Sequence, residues 1–477
     1  MSEVIAKTQQ LLNDKKWARW TALILIALMM FFGYMFVDVM SPLQALVESE
    51  KGWTPSVFGT YASAEYILNV CGFLILAGII LDKMGIRFTG VLAASMMFVG
   101  ACIKFYAVSD WFAGSAFESW LNSWWTSMPG SAKLAALGFM IFGCGCEMAG
   151  TTVSKAIAKW FKGKEMALAM GIEMAIARVG VFAIFSISPI IAAKLGTVTA
   201  PVGFCTVLLL IGLINFIVFT FMDKKLDSQL IAAGEKTEEK DPDEEFKVKD
   251  LGKIFGSLNF WVVALLCVLY YSAIFPFQRY GANMLQCNLD GISPEAAANI
   301  FRWFPIGAAA ITPFLGSYLD HKGKGASMLI WGAVLLIVCH LVFAFVLPAT
   351  HSNIIAYVTI VVLGISFSLV PAALWPSVPK IIDEKVLGSA YCLIFWVQNI
   401  GLCLVPLLIG NVLASSNANN PAVIAAKAVN ADFIPYDYTV PLIIFACFGV
   451  AALFIAIFLK ALDRKRHLGL EEPNIKK

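Results

Sequence analysis

Two side chains of opposite charge stand where the sequence offers little else that ionises. Glu147 lies about 18 Å of helix rise from Lys159, and Arg178 about 21 Å from Lys164, each deep in an apolar run. Charge at that depth in a bilayer is costly, so it faces a cavity or a partner and marks a functional position by default. If the two runs are adjacent antiparallel helices, the pair comes within reach and neutralises itself while the cavity is empty. When substrate enters, the guanidinium holds a carboxylate bidentately and the carboxylate takes an amino group. A small zwitterion suits that arrangement. The alternative is a buried ion pair that only sets helix register.

The other candidates divide into a wall and a set of switches. Tyr271, Arg279, Trp375, Gln398 and Asn399 are expected to line the wall facing Glu147 and Arg178, with Tyr270 and Arg302 nearby. Asp38, towards the outer end of the first run, reads equally as a gate or a helix-end residue. Glu65 shares a helix face with Asn69 at i, i+4 spacing, suiting either cavity lining or interhelical hydrogen bonding. Glu173 precedes Arg178 by five residues, about 140° around an ideal helix, and is expected on a different surface. Glu65, Glu147 and Glu173 are the possible proton carriers. His340 reads as a packed residue.

These groups need helices to hold them. Of 477 residues, 59% are hydrophobic and 14% charged, against roughly 25% charged in soluble domains; mean hydropathy is +0.78. The apolar residues gather in runs of about twenty, enough to cross a hydrocarbon core. Expected spans lie near 20–46, 57–80, 88–108, 133–158, 165–192 and 202–222, then 258–283, 295–319, 326–347, 353–380, 386–413 and 438–461. The first is read as an uncleaved span rather than a signal peptide. The fold class is therefore an all-α membrane protein of twelve transmembrane helices in two six-helix bundles, residues 1–222 and 257–477. Residues 223–256 form a charged cytoplasmic linker carrying Glu235, Glu238, Glu239, Asp241, Asp243, Glu244 and Glu245. Lysines and arginines collect in alternate connections, which puts both termini in the cytoplasm. The outer connection 109–132 is rich in tryptophan and reads as an interfacial anchor or a lid.

A repeated element ties the halves together. Gly78-Ile-Ile-Leu-Asp82-Lys83-Met-Gly85-Ile-Arg87 follows the second span, and Gly316-Ser-Tyr-Leu-Asp320-His321-Lys322-Gly323-Lys324 follows the eighth. The glycines allow a tight turn. The aspartates can accept from helix-terminal amides or pair with a basic residue, forming a latch that holds one state. Asp82, Arg87 and Asp320 are accordingly assigned to gating. The doubled element resembles the loop signature of the major facilitator superfamily, whose parallel halves rock about a midplane cavity.

Within that superfamily the chain resembles the lysosomal dipeptide transporter branch, the domain-containing protein 1 group. The resemblance rests on Trp160-Phe-Lys-Gly-Lys-Glu165 continuing through Gly171 to Ala177-Arg178-Val-Gly180, with Glu147 before it. Further blocks are Asp38 with Leu43-Gln44, Tyr270-Tyr271 with Phe275-Pro276-Phe277, Leu374-Trp375-Pro376, Leu387-Gly388 with Ala390-Tyr391, and Gln398-Asn399 with Gly401-Leu402. It implies dipeptide transport with Glu147 and Arg178 in the binding site. The chain departs from the branch at Gln278, Arg279 and Glu173. It also has no Asn-x-Ser/Thr sequon and no acidic residue before Leu11-Leu12, so a bacterial-type inner membrane is expected.

The nearest rival is a proton-coupled organic anion carrier using Arg178, Arg279 and Arg302. A membrane enzyme or assembly factor is disfavoured: the spans contain no H-E-x-x-H and no G-x-S-x-G. A charge of +3 and pI near 8.2 exclude a nucleic-acid-binding face. Ten of the eleven cysteines fall in apolar runs and read as packing residues. No cofactor, metal or obligatory protein partner is predicted; the expected partners are a small-molecule substrate and the lipid bilayer, with the chain a monomer.

Overall fold

The computed structural model describes residues 11–232, 251–382 and 386–473, and among them the regular structure is helical throughout. The long helices are α1 (Lys16–Asp38), α2 (Pro55–Leu68), α3 (Leu74–Val108), α4 (Gly130–Phe161), α5 (Met166–Leu195), α6 (Thr199–Ala232), α7 (Leu258–Asn288), α8 (Pro294–Phe301), α9 (Trp303–Lys322), α10 (Gly325–Leu341), α11 (Asn353–Ile381), α12 (Leu387–Ser416) and α13 (Thr439–Arg466).

Ten helical segments among the described residues are long and apolar enough to span a bilayer. One of them, Pro55–Val108, has 54 residues. Straight, it would reach about 81 Å, far more than the roughly 30 Å of a hydrocarbon core. Gly85 breaks it, with φ at +74°, inside the first copy of the loop element. Only glycine takes that backbone without strain, and the break falls between the two runs that hydropathy separates there. The run expected at 295–319 is built from α8 and α9, which meet at Arg302.

The sequence expectation ends the sixth span at 222, but α6 continues to Ala232. Ion pairs hold the extension. Asp223 and Asp227 on α6 engage Lys159 at 2.9 and 2.6 Å, and both accept from Arg87. The acidic cluster from Glu235 to Glu245 lies outside the described residues.

The bundle has two unlike ends. At one, which we call the far side, α2 and α12 meet backbone to backbone. A Cβ on Gly59 would sit 2.5 Å from the Pro406 carbonyl oxygen, and one on Gly410 2.4 Å from that of Pro55. Tyr280 donates to the Pro406 carbonyl at 2.9 Å, and Tyr436 donates to Glu48 at 2.5 Å. Every residue of α7 from 276 to 286 is buried.

The opposite end carries the first described residues and the last. There Arg19 pairs with Glu165 at 2.8 Å and Lys164 with Asp14 at 2.9 Å, while Arg466 donates to Asn259 at the start of α7. Near that end of α1, Trp17 (65%) and Ile24 (53%) are exposed, whereas Asp38 at the other end is buried. On α7, Leu258, Trp261 and Leu265 are exposed before the buried stretch begins. The far side is thus closed by backbone-to-backbone packing of α2 on α12 and by the buried stretch of α7.

Candidate functional site

Close helix packing sets the seal. A Cβ on Gly143 of α4 would lie 2.0 Å from the Glu65 carbonyl oxygen, so only glycine admits α2 that near. This approach delivers Glu65 beside Asp38 of α1, and both carboxylates receive Arg279 of α7. The guanidinium pairs with Asp38 at 3.0 Å, pairs with Glu65, and donates to the Val37 carbonyl. Gln278 adds a hydrogen bond to Asp38 at 2.5 Å, and Ser41 another at 3.0 Å. All three charged residues are buried. Arg279 is thus not an open wall ligand, as the sequence suggests, because two carboxylates occupy its donors. Asp38 and Glu65 are both interhelical partners in the seal; Asn69, one turn beyond Glu65, is buried with neither amide atom hydrogen-bonded among the described residues.

Beside the triad lies a cation the sequence reading overlooks. Lys104 on α3 is fully buried, and its ammonium sits 4.2, 4.6 and 5.1 Å from the ring centroids of Phe36, Phe139 and Tyr61. No hydrogen-bond acceptor reaches its Nζ among the described residues. A lysine inside the run 88–108 is signal enough, but it stands near the run's outer end, where lysines ordinarily reach the interface.

Glu147 and Arg178 are both half-buried. No ion pair within 4.0 Å joins them among the described residues, contrary to the expected mutual neutralisation. Arg178 instead lies over Phe367 at 5.0 Å and Phe275 at 5.9 Å, rings supplied by α11 and α7. Tyr34 of α1 is within electrostatic reach of Arg178, Glu147 and Glu173 together. Glu173 is half-buried and makes no ion pair within 4.0 Å of Arg178 among the described residues.

The facing wall is aromatic. The Trp375 indole donates to the Tyr271 hydroxyl at 3.2 Å and stacks on Phe395 at 4.8 Å; Tyr271 stacks on Phe275 at 5.5 Å. This joins Tyr271 and Trp375 to the rings beneath Arg178. Gln398 is buried and accepts from the Cys267 thiol at 3.3 Å. Asn399 is 1% exposed and donates to the Phe395 carbonyl of its own helix, so it backs the wall instead of lining it. His340 is packed between Phe277 and Phe445.

At the terminal side Asp82 pairs with Lys155 of α4 at 3.0 Å, and Arg87 pairs with Asp223 at 3.1 Å. The first loop element thus ties helices before the charged segment to one another. Asp320 lies in the last turns of α9.

The sequence profile of the Major Facilitator Superfamily matches residues 23–406. The lysosomal dipeptide transporter MFSD1 of Homo sapiens is 26% identical over 411 residues, covering 83% of this chain and 80% of that protein. MFSD1 of Danio rerio is 28% identical over 406 residues with the same two coverages. Among solved structures, the nucleoside transporter NupG superposes with a TM-score of 0.64 at 13% identity, covering 91% of this chain and 98% of that one. A bacterial homolog of the human lysosomal transporter Spinster, inward-facing and unoccupied, gives 0.65 at 15% identity, covering 93% and 97%. At these identities the solved structures speak for the fold alone.

Proposed function

Because the chain belongs to the Major Facilitator Superfamily, and is thus a multi-pass membrane transporter and not an enzyme, we propose that it carries dipeptides or other small zwitterionic peptides by alternating access. In this reading it has twelve spans, the 54-residue segment counting as two and α8 with α9 supplying the other. Residues 1–222 and 257–477 are the two moving halves, and 223–256 the connection between them. The bias of lysine and arginine puts the termini in the cytoplasm, and the missing sequons favour a bacterial-type inner membrane.

The observation that carries the cargo reading is the state of Arg178. It is an intramembrane guanidinium that meets aromatic rings of α7 and α11 and forms no ion pair among the described residues. A substrate carboxylate supplies the missing bidentate acceptor. Glu147, equally without an ion pair among the described residues, takes the amino terminus, while Tyr271 and Trp375 contact the side chains. MFSD1, to which the chain is similar, is a dipeptide transporter by name.

The seal bears on the rival reading. A carrier of organic anions would draw on Arg279, yet Asp38 and Glu65 hold that residue. Counterflow in proteoliposomes separates the two. Dipeptide exchange that Arg178→Ala abolishes, with the variant still folded, supports the peptide reading. Dicarboxylate exchange without dipeptide competition, or normal exchange by Arg178→Ala, overturns it. Internal acidification during uptake distinguishes proton symport from uniport.

A further inference from the structure

The far-side seal holds two buried carboxylates and draws their counter-ion from a different helix. Asp38 and Glu65 belong to α1 and α2, whereas Arg279 belongs to α7. In alternating access, the reading on which this inference rests, far-side opening carries α7 away from α1 and α2. Arg279 leaves with it. Removing one partner from a buried ion pair is strongly destabilising, since it leaves an uncompensated charge.

We propose that Lys104 is the reserve counter-ion of this gate: as Arg279 withdraws, the Lys104 ammonium leaves its aromatic cage and takes over Asp38 and Glu65. Lys104 is a positioning residue for the transport cycle, not a substrate ligand.

Three features support the exchange. The first is location: Lys104 and Arg279 lie over the same ring, Phe139, at 4.6 and 5.6 Å. Phe36 of the cage is two residues from Asp38, and Tyr61 one helical turn from Glu65. Asp38 from α1, Glu65 from α2, Cys205 from α6 and Arg279 from α7 all act electrostatically on Lys104, and the two carboxylates among them are those Arg279 engages.

The second is that the ammonium is held yet uncommitted. Ring faces attract a desolvated cation, but no described acceptor binds its Nζ. The third is mechanical. Lysine is a point charge on a flexible four-carbon stem, able to swing from rings to carboxylates without backbone movement. With both cations and both acids, the buried region is balanced when sealed. When Arg279 departs, one cation remains to bridge two carboxylates.

Hydrogen exchange tests this on the full-length protein in nanodiscs at pH 7, read over peptides spanning 276–286. These amides are buried in the sealed state and exchange when the far side opens. Lys104→Met is expected to slow that exchange at least fivefold, because the open state has lost its counter-ion. In a Glu65→Gln background, with one carboxylate already neutral, the same substitution should have at most half that effect on a logarithmic scale. The comparison forms a double-mutant cycle and isolates the coupling. Unchanged exchange in Lys104→Met overturns the proposal, as does faster exchange, which would make Lys104 part of the seal. An effect undiminished in Glu65→Gln also overturns it. So does a Lys104→Met protein that fails to fold, since the sealed state would then require the ammonium. Dipeptide counterflow by the unaltered protein is scored separately: its absence removes the cargo reading and leaves the exchange comparison intact.

Discussion

Replacing Arg279 with methionine removes the only described cation paired to Asp38 and Glu65 and should release the far side. Their side chains are 7%, 1% and 6% exposed, respectively, so water screens the triad little. Breaking such a buried pair by deleting one partner costs about 3–5 kcal/mol. The penalty falls on the sealed state, because only there does Arg279 pair with the two carboxylates; any takeover by Lys104 in the sealed variant makes the figure an upper bound. At about 1.4 kcal/mol per tenfold, the equilibrium moves towards far-side opening by between about a hundredfold and a few thousandfold. Hydrogen exchange over 276–286 reads that shift directly, and residues 210–220 of α6, starting one turn beyond Thr206 and lying away from the gate, provide the reference. Methionine roughly preserves the apolar stem, so the loss reports charge more than packing. A triple variant, Arg279→Met with Asp38→Asn and Glu65→Gln, should recover most of the protection because no carboxylate is left without its guanidinium, while Lys104 keeps its aromatic cage. Wild-type exchange in Arg279→Met would refute the gate, and so would a triple variant as open as the single one.

Three other parts of the molecule carry measurable consequences. Trp375→Phe deletes the indole donor to Tyr271 while keeping an aromatic face; a neutral hydrogen bond contributes about 1 kcal/mol, so apparent dipeptide affinity in counterflow should weaken about fivefold. Gly59→Leu puts a side chain where a Cβ alone would stand 2.5 Å from the Pro406 carbonyl oxygen; it should prevent far-side closure and abolish exchange while the protein remains monodisperse on gel filtration. At the terminal side, the hydrogen bond from Lys164 to Asp14 holds that carboxyl below its ordinary value. A depressed carboxyl stabilises above its unfolded pKa and loses that contribution as pH falls through the folded value. Protease protection of residues 11–19 should therefore persist at neutral pH and decline below about pH 4, and Lys164→Ala should remove that dependence.

Several features were legible because they depend on neighbours in sequence. Apolar runs marked the helices, and the break before Gly85 was visible because turn chemistry is local. Glu147 and Arg178 announced themselves as charge at depth, and Trp375 and Tyr271 join the ring cluster over which Arg178 lies. Helix ends were less readable: α6 runs past 222 because Asp223 and Asp227 find Lys159 and Arg87 on other helices. Asn399 looked like a polar lining group, yet it is buried and its Nδ2 donates to the Phe395 carbonyl of its own helix. A residue's azimuth cannot be read without knowing what packs behind it.

Hydropathy and the doubled loop element, each a matter of composition and spacing, determined by themselves that this chain is a membrane transporter of the major facilitator type. The partners of its buried charges were decided elsewhere. Arg279 meets Asp38 and Glu65 across more than two hundred residues of sequence, and Lys104 is caged by rings from three other helices. Coulomb energy and desolvation depend on distance and burial in space, which no local pattern encodes, so only the packed bundle separates an open ligand from a closed gate.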